Sequence, residues 1–298
     1  MRKAYITAAI AAAALSLSSC SEQRQVYEGP SYLMFSDTLT VCPVWNDSDE
    51  YCEIPLGCTR ASDRDRTYGV EIVQSETNAI LGYHYLVDDY TVTIPAGARA
   101  ASFRIKGIYD NIESGEDSLS VTLRLVSMQD EEWDLYGSTS RVIFQKAKRF
   151  DLADFTGWAV VSGGFIDSVY PNDPQRLVYT EAVPDEENTV CVKNIFLDGY
   201  DINLTFDPSD WQAPSVSIEY GGVVASTQSV LGTPLGDDKV RVMDYMTYPS
   251  TFNTLTREAT LYSTFFVNGN GGGLLGNLQT DIRWITDQEK DDILNNGF

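Results

Sequence analysis

Ser118-Leu119-Ser120-Val121-Thr122-Leu123-Arg124-Leu125-Val126 carries the pattern on which the fold turns. Leu119, Val121, Leu123 and Leu125 fall on one side, and Ser118, Ser120, Thr122 and Arg124 on the other. A period of two residues is that of a half-buried strand. The same reading extends upstream. Tyr32-Leu33-Met34-Phe35 and Thr38-Leu39-Thr40-Val41 are short runs of β-branched or aromatic residues. Arg66 to Val73, Tyr90 to Ile94 and Ala101 to Ile108 alternate, and Pro95-Ala96-Gly97 turns the chain between the last two. Arg141-Val142-Ile143-Phe144 closes the set. About seven strands with turn residues between them predict a β-sandwich over residues 32–146.

Lys146-Ala147-Lys148-Arg149 is a basic break, and a second β pattern follows it over residues 150–298. Gly157 to Val161, Leu177 to Val183, Thr189 to Phe196 and Asp201 to Phe206 read as strands. Ser215 to Tyr220 and Val223 to Ser226 flank Gly221-Gly222, a hairpin signal. Val240 to Tyr245, Thr260 to Val267 and Asp281 to Ile285 complete the run, and Asp287 to Asn295 has room for one short helical turn. Consecutive strands joined by short turns predict an antiparallel meander, closed or nearly closed into a barrel. The fold class expected is therefore all-β: a sandwich, then a barrel or meander.

The N-terminus has its own logic. Arg2 and Lys3 precede an apolar run from Ala4 to Leu17, of secretory length and too short to span a bilayer. Leu17-Ser18-Ser19-Cys20 then resembles the lipobox of bacterial lipoproteins. The resemblance implies a signal peptide over residues 1–19, cleavage before Cys20, and acyl chains on that cysteine. Several chains on one residue anchor a protein stably where one does not. Residues 20–31 are polar and read as the tether, and the anchor expected is to the outer membrane, on either face. The chain has 43 acidic and 21 basic residues and a formal charge of -22. Such a charge disfavours nucleic acid and adhesion to anionic lipid.

Beyond Cys20, the cysteines are Cys42, Cys52, Cys58 and Cys191. An exported chain can hold disulfides. The order of expectation is one local bridge among the first three, then buried free thiols, then a metal site. The spacings lack the paired C-x-x-C form of zinc sites, so no metal and no cofactor is expected.

Two resemblances extend these readings. Asp65-Arg66, Ala79 to Tyr85, Tyr90 to Gly97, Ile105 to Asn111 and Glu116 to Leu123 resemble domains of Bacteroides-group lipoproteins, and more distantly Calx-beta domains. That likeness implies an immunoglobulin-like sandwich. Calx-beta loops can bind calcium, and the matching loop here is Asp110 to Asp117. Asn111 replaces one of the usual aspartates, His84 stands where an aspartate precedes tyrosine, and calcium asks for six to eight oxygens. The acidic loop is therefore expected to be solvated and to bind calcium no more tightly than about millimolar. From Phe150 onward, Phe155-Thr156-Gly157-Trp158 and Lys193-Asn194-Ile195-Phe196 are similar to the C-terminal domain of uncharacterised lipoproteins of the same group. The adjacent glycine and tryptophan also resemble, more faintly, the opening of lipocalin-like barrels.

Catalytic groups are scarce. His84 is the single histidine, it lies between tyrosines, and no G-x-S-x-G stands near it. It reads as a strand or loop histidine. Gly269-Asn270-Gly271-Gly272-Gly273 lacks the lysine and hydroxyl of a phosphate loop and reads as a hairpin tip. No catalytic residue is assigned. Aromatic residues are abundant, with 17 tyrosines and 5 tryptophans. Rings outside strands stack on sugars or anchor interfaces. Trp211, in Asp207-Pro208-Ser209-Asp210-Trp211, is the first candidate, and Trp133 is similar. Trp158 and Trp284 sit in strand patterns and read as core. Tyr248 supplies a second ring, and Asp210 and Asp244 supply acceptors for hydroxyl groups. The irregular stretches Val169 to Arg176, Gly232 to Asp238 and Tyr248 to Thr256 place recognition on loops of the second half. The function expected is non-catalytic binding of a glycan or envelope partner. A structural or adhesive role and an enzyme of unrecognised type are the alternatives.

Overall fold

The computed structural model describes residues 27, 29–113, 115, 119–126, 137–172 and 174–298. The signal peptide, Cys20, most of the tether, Glu116, Asp117 and Trp133 lie outside the described residues. Asp110 falls in a single 3-10 turn, Tyr109–Asn111. The fold is all-β, as the alternating patterns predict. The chain divides into two compact units. The first gathers the described parts of Met1–Cys42, Tyr51–Gly107 and Ser118–Ile143; the second gathers those of Pro43–Glu50, Ile108–Asp117 and Phe144–Phe298.

The first unit is a sandwich of two antiparallel sheets. One has the order β1 (Leu33–Phe35), β3 (Cys52–Cys58), β7 (Ala100–Gly107), β5 (Tyr85–Leu86). The other runs β2 (Leu39–Trp45), β9 (Thr139–Ala147), β8 (Ser120–Val126), β4 (Arg66–Ile72), β6 (Thr91–Ile94), and the ends of β2 and β9 belong to the second unit. Val121, Leu123 and Leu125 of the decisive stretch are wholly buried, and Ile54, Leu56, Tyr68 and Phe103 are core residues of the same unit. The β3 strand was not legible in the sequence, because Pro55 lacks an N–H and Gly57 weakens a strand. Pro55 is accommodated where β1 ends: its carbonyl accepts from the Ser36 N–H at 2.9 Å, and no further strand residue needs its missing donor. Gly57 is required, since a Cβ there would lie 2.8 Å from the Arg99 carbonyl oxygen.

The second unit is an up-and-down barrel. Its strands are β10 (Gly157–Gly163), β11 (Gln175–Ala182), β12 (Thr189–Lys193), β13 (Ile202–Asp207), β14 (Ser215–Ile218), β15 (Gly222–Ala225), β16 (Val240–Asp244), β17 (Thr251–Asn253), β18 (Glu258–Val267) and β19 (Gly273–Trp284). Each pairs antiparallel with its neighbours, and β19 returns to pair with both β18 and β10, closing the ring. The Gly221-Gly222 hairpin is corrected by the pairing. β14 pairs with β13 and β17 while β15 pairs with β16, so β14 and β15 are one bent strand. Gly221, at φ +74, makes the kink rather than a reversal. Likewise β16 and β17 line one edge of β18 in succession, which places a strand inside the stretch expected to be irregular from Tyr248 to Thr256. With these two composite strands the barrel has eight staves, a width that side chains can fill.

They do fill it. Phe155, Phe206 and Trp284 pack at one end, with Phe150 and Phe252 against them; Phe165, Phe196 and Phe265 pack toward the other. Trp284 is core, as its pattern predicts. Trp158 is not: its neighbours Ala159 and Val161 take the inner face, and its ring lies outside against Tyr179, 5.2 Å between centroids. Short helices α1 (Gly164–Val169) and α2 (Thr227–Leu231) join strands at the far end. The tail forms α3 (Asp287–Asn296), longer than the single turn expected. A capping box explains the difference: the Thr286 hydroxyl accepts from the Glu289 N–H, and the Glu289 carboxylate accepts from the Thr286 N–H.

Candidate binding cleft

Trp211 sits in the β13–β14 loop, and the loop's own chemistry sets its position. Asp207 Oδ1 accepts from the Ser209 N–H at 3.0 Å, and Asp210 Oδ1 from the Gln212 N–H at 3.0 Å. These are successive Asx turns, the habit of aspartate in loops. Pro208 and Pro214 fix the backbone on either side. The loop holds the half-buried Trp211 ring edge-on to Trp45, with centroids 5.7 Å apart. The Arg149 guanidinium lies over the other tryptophan, 4.6 Å from the Trp45 ring, and bonds to Asp47 and Glu50 at 3.3 and 3.0 Å.

These rings form one wall of a cleft of about 640 Å³ at the Phe155 end of the barrel. Phe150 and Phe252 line it between the wall and the core. Gln145, Gln212, Asn253, Thr254 and Thr260 contribute polar groups, and Glu258 is its single carboxylate among the described residues. Asn253 and Thr254 belong to a tight turn. Asn253 Oδ1 accepts from the Leu255 and Thr256 N–H groups at 2.8 and 3.2 Å, and the Thr254 hydroxyl donates to the Lys148 carbonyl at 2.8 Å. The cleft's three cations are each engaged: Arg149 as above, Lys148 with Asp154 at 2.7 Å, and Lys146 with the Ile112 carbonyl at 2.9 Å. Two of the three are thus paired with carboxylates, and Lys146 with a neutral carbonyl.

The residues singled out in the sequence do not converge. Trp211 lines the cleft, whereas Asp210 turns back to its own loop. Tyr248 stands on the outer barrel surface with Tyr245 and Tyr262, 5.7 and 5.6 Å between ring centroids. The Asp244 carboxylate accepts from the Ile218 N–H at 3.1 Å, and burial pushes its carboxyl above the usual range. His84 belongs to a turn: its Nδ1 accepts from the Ile80 N–H at 2.9 Å, in keeping with the loop reading. Gly269 to Gly273 does form the β18–β19 turn. Trp45 was missed. It ends the alternating run Leu39–Trp45 and precedes Asn46-Asp47-Ser48-Asp49, the same pairing of strand end and turn residues that marks Trp211.

Fold and site together define an all-β protein whose second unit is a filled eight-stranded barrel bearing an aromatic cleft at one end. Residues 135–296 match the family described as Domain of unknown function (DUF4984), and the chain belongs to that family. No curated protein sequence matches it. Among solved structures, the chain is similar to the apo-form Calx CBD1 domain at 15% identity and a TM-score of 0.31, over 40% of this chain and 98% of that one. It is similar to a Bacteroides ovatus protein of unknown function at 12% identity and a TM-score of 0.34, over 84% of this chain and 89% of that one. It is also similar to a protein from Bacteroides ovatus ATCC 8483, provisionally described as carbohydrate-binding, at 11% identity and a TM-score of 0.31, over 81% of this chain and 71% of that one.

Proposed function

We propose that the protein is an exported, lipid-anchored binding protein of the outer membrane that recognises an uncharged glycan in the Trp45–Trp211 cleft. The observation that carries the reading is the composition of that cleft. Aromatic rings interspersed with amide and hydroxyl groups suit the two surfaces of a sugar, apolar C–H faces and polar hydroxyl edges. Its cations already have partners, so it offers little selection for negative charge. The filled barrel interior favours binding at the end of the barrel over binding inside it. A binding role is favoured over glycoside hydrolysis because Glu258 is the one carboxylate lining the cleft among the described residues, and hydrolysis ordinarily takes two.

The test is a glycan array with the full chain, followed by calorimetry on the strongest ligand with Trp211→Ala and Trp45→Ala. Each substitution should weaken binding about tenfold, the worth of one stacked ring. A confirmed glycan whose affinity neither substitution changes would place the site elsewhere. In that event the Tyr245, Tyr248 and Tyr262 group is the next to be substituted. An empty array would favour an adhesive role instead. The exposed apolar run of Ile80, Leu81, Tyr83, Leu86 and Tyr90 on the first unit supports that second reading.

A further inference from the structure

Cys42 and Cys52 are chemistry that the cleft does not use. Cys42 is buried in the middle of β2, and alternation puts it with Val44 on the inner face of its sheet. Cys52 opens β3 opposite the wholly buried Ile105, so its side chain shares the inner face with Ile54 and Leu56. The two strands belong to different sheets of the sandwich. The two side chains therefore face inward from opposite sheets of the sandwich, and each is the largest influence on the other's ionisation. Cys58 is six residues along β3 from Cys52, roughly 20 Å at strand rise, and a disulfide needs Cα atoms within about 7 Å. Its sulfur contacts the Tyr68 hydroxyl instead, at 3.2 Å. Cys191 lies on β12 between the core residues Val190 and Val192, facing away from the barrel interior beside Lys193.

We propose that Cys42 and Cys52 form a disulfide in the working protein, a bond that ties β2 to β3 and closes the loop of residues 43–51. The pairing stands apart from whatever the cleft binds. Its oxidant is a disulfide of the glutathione or thiol–disulfide oxidoreductase class. Cys52 is the entry point: it keeps partial exposure, and Cys42 holds its thiol below the usual range. Its thiolate attacks one sulfur of the acceptor and the other sulfur leaves as a thiolate, which takes up a proton. Cys42 is held above the usual range by Cys52 and by burial. It loses its proton as it attacks the Cys52 sulfur, and the second acceptor thiol departs. Two electrons and two protons pass to the acceptor, so one disulfide is made and one is consumed.

The experiment maps the bond in the full chain, reduced and then exposed under native conditions to oxidised glutathione before acid quench and alkylation. Glutamyl endopeptidase cuts after Glu50 and Glu53, which puts Cys42, Cys52 and Cys58 in separate peptides. The expected product joins peptide 29–50 to peptide 51–53, two hydrogens lighter than their sum. In Cys42→Ser the same treatment should leave glutathione on Cys52, because the resolving thiol is gone. Recovery of wild-type Cys42 as the alkylated thiol overturns the proposal. So does a bond from Cys52 to Cys58 or Cys191, or a wild-type glutathione adduct that persists on Cys52.

Discussion

Thr180→Val should destabilise the barrel by far more than its size suggests. Thr180 and Trp284 are both buried at the seam where the barrel closes. The Trp284 indole N–H donates to the Thr180 hydroxyl oxygen at 2.9 Å, across 104 residues of sequence. The single proton of that hydroxyl is shared between the Phe155 and Gly157 carbonyls, 3.0 and 3.1 Å away. Valine keeps the shape and removes the oxygen, so an indole N–H is left buried without its acceptor and two carbonyls lose a donor. Leaving a buried group unsatisfied costs about 1–3 kcal/mol, so the expected loss, set mainly by the indole N–H, is about 2–3 kcal/mol. Thr180→Ser is the control: it keeps the hydroxyl and removes one methyl, for about 1 kcal/mol. Urea unfolding followed by tryptophan fluorescence reads the difference. With a slope of about 2 kcal/mol per molar, the valine variant should unfold roughly 1 M earlier than the native chain. A double-mutant cycle with Trp284→Phe isolates the bond, and the two losses should fall short of additivity by about 1 kcal/mol or more. A valine variant as stable as the serine variant, or strictly additive losses, would show that the indole does not depend on Thr180.

Cys20→Ser should leave the precursor uncut by the lipoprotein peptidase and abolish acyl labelling; normal fatty-acid labelling of that variant rules out the anchor. A fragment of residues 150–298 should be soluble, with a β-type circular dichroism spectrum and a cooperative melt, since every strand from β10 to β19 lies within it; an unstructured fragment would mean that the barrel needs the rest of the chain. The backbone N–H of Thr286 and the Arg283 guanidinium hold the Glu289 carboxyl down to about 2, against 4.5 for the free group. Its folded value lies below its unfolded one, so its contribution is present above about pH 4.5 and is lost as the pH falls toward about 2. Melting temperatures measured between those limits should fall less steeply for Glu289→Gln than for the native chain, and identical slopes would refute the assignment.

The fold was legible where one face of a strand is apolar and the other polar. Leu119 to Leu125 and Ile202 to Phe206 alternate, and their apolar faces are buried as expected; on the polar face of the first, Ser120 and Thr122 are buried as well, bonded to the segment Glu76 to Asn78. Legibility failed where backbone pairing overrides side-chain pattern. Pro55 and Gly57 hide β3, yet its place between β1 and β7 tolerates both. β17 is only three residues long, and its partners β14 and β18 define it, so no periodicity could reveal it. Gly221-Gly222 has the composition of a hairpin, but whether a glycine pair reverses a strand or bends it depends on which strands lie alongside. The cleft was half legible for a similar reason. Trp211 stands out because its loop is rich in turn residues, whereas Trp45 is joined to it only by folding across 166 positions of sequence.

The filled interior also decides which substitutions can inform on binding. Phe150 and Phe252 line the cleft, and both stack into the cluster of Phe155, Phe206 and Trp284. The floor of the cleft is thus the roof of the core. Such a floor is well placed to hold a site, because rings locked by packing keep their orientation without a ligand. It is a poor target for mutation, since Phe252→Ala would open a cavity costing about 3–5 kcal/mol and confuse lost binding with lost folding. Trp211 and Trp45 are the rings that stand only half-buried above that floor, one set by two Asx turns and the other by Arg149. Removing either exposes little new core surface. A fall in affinity at unchanged melting temperature in those two variants therefore reports on the ligand itself, and the arrangement that makes the cleft rigid is what makes that separation possible.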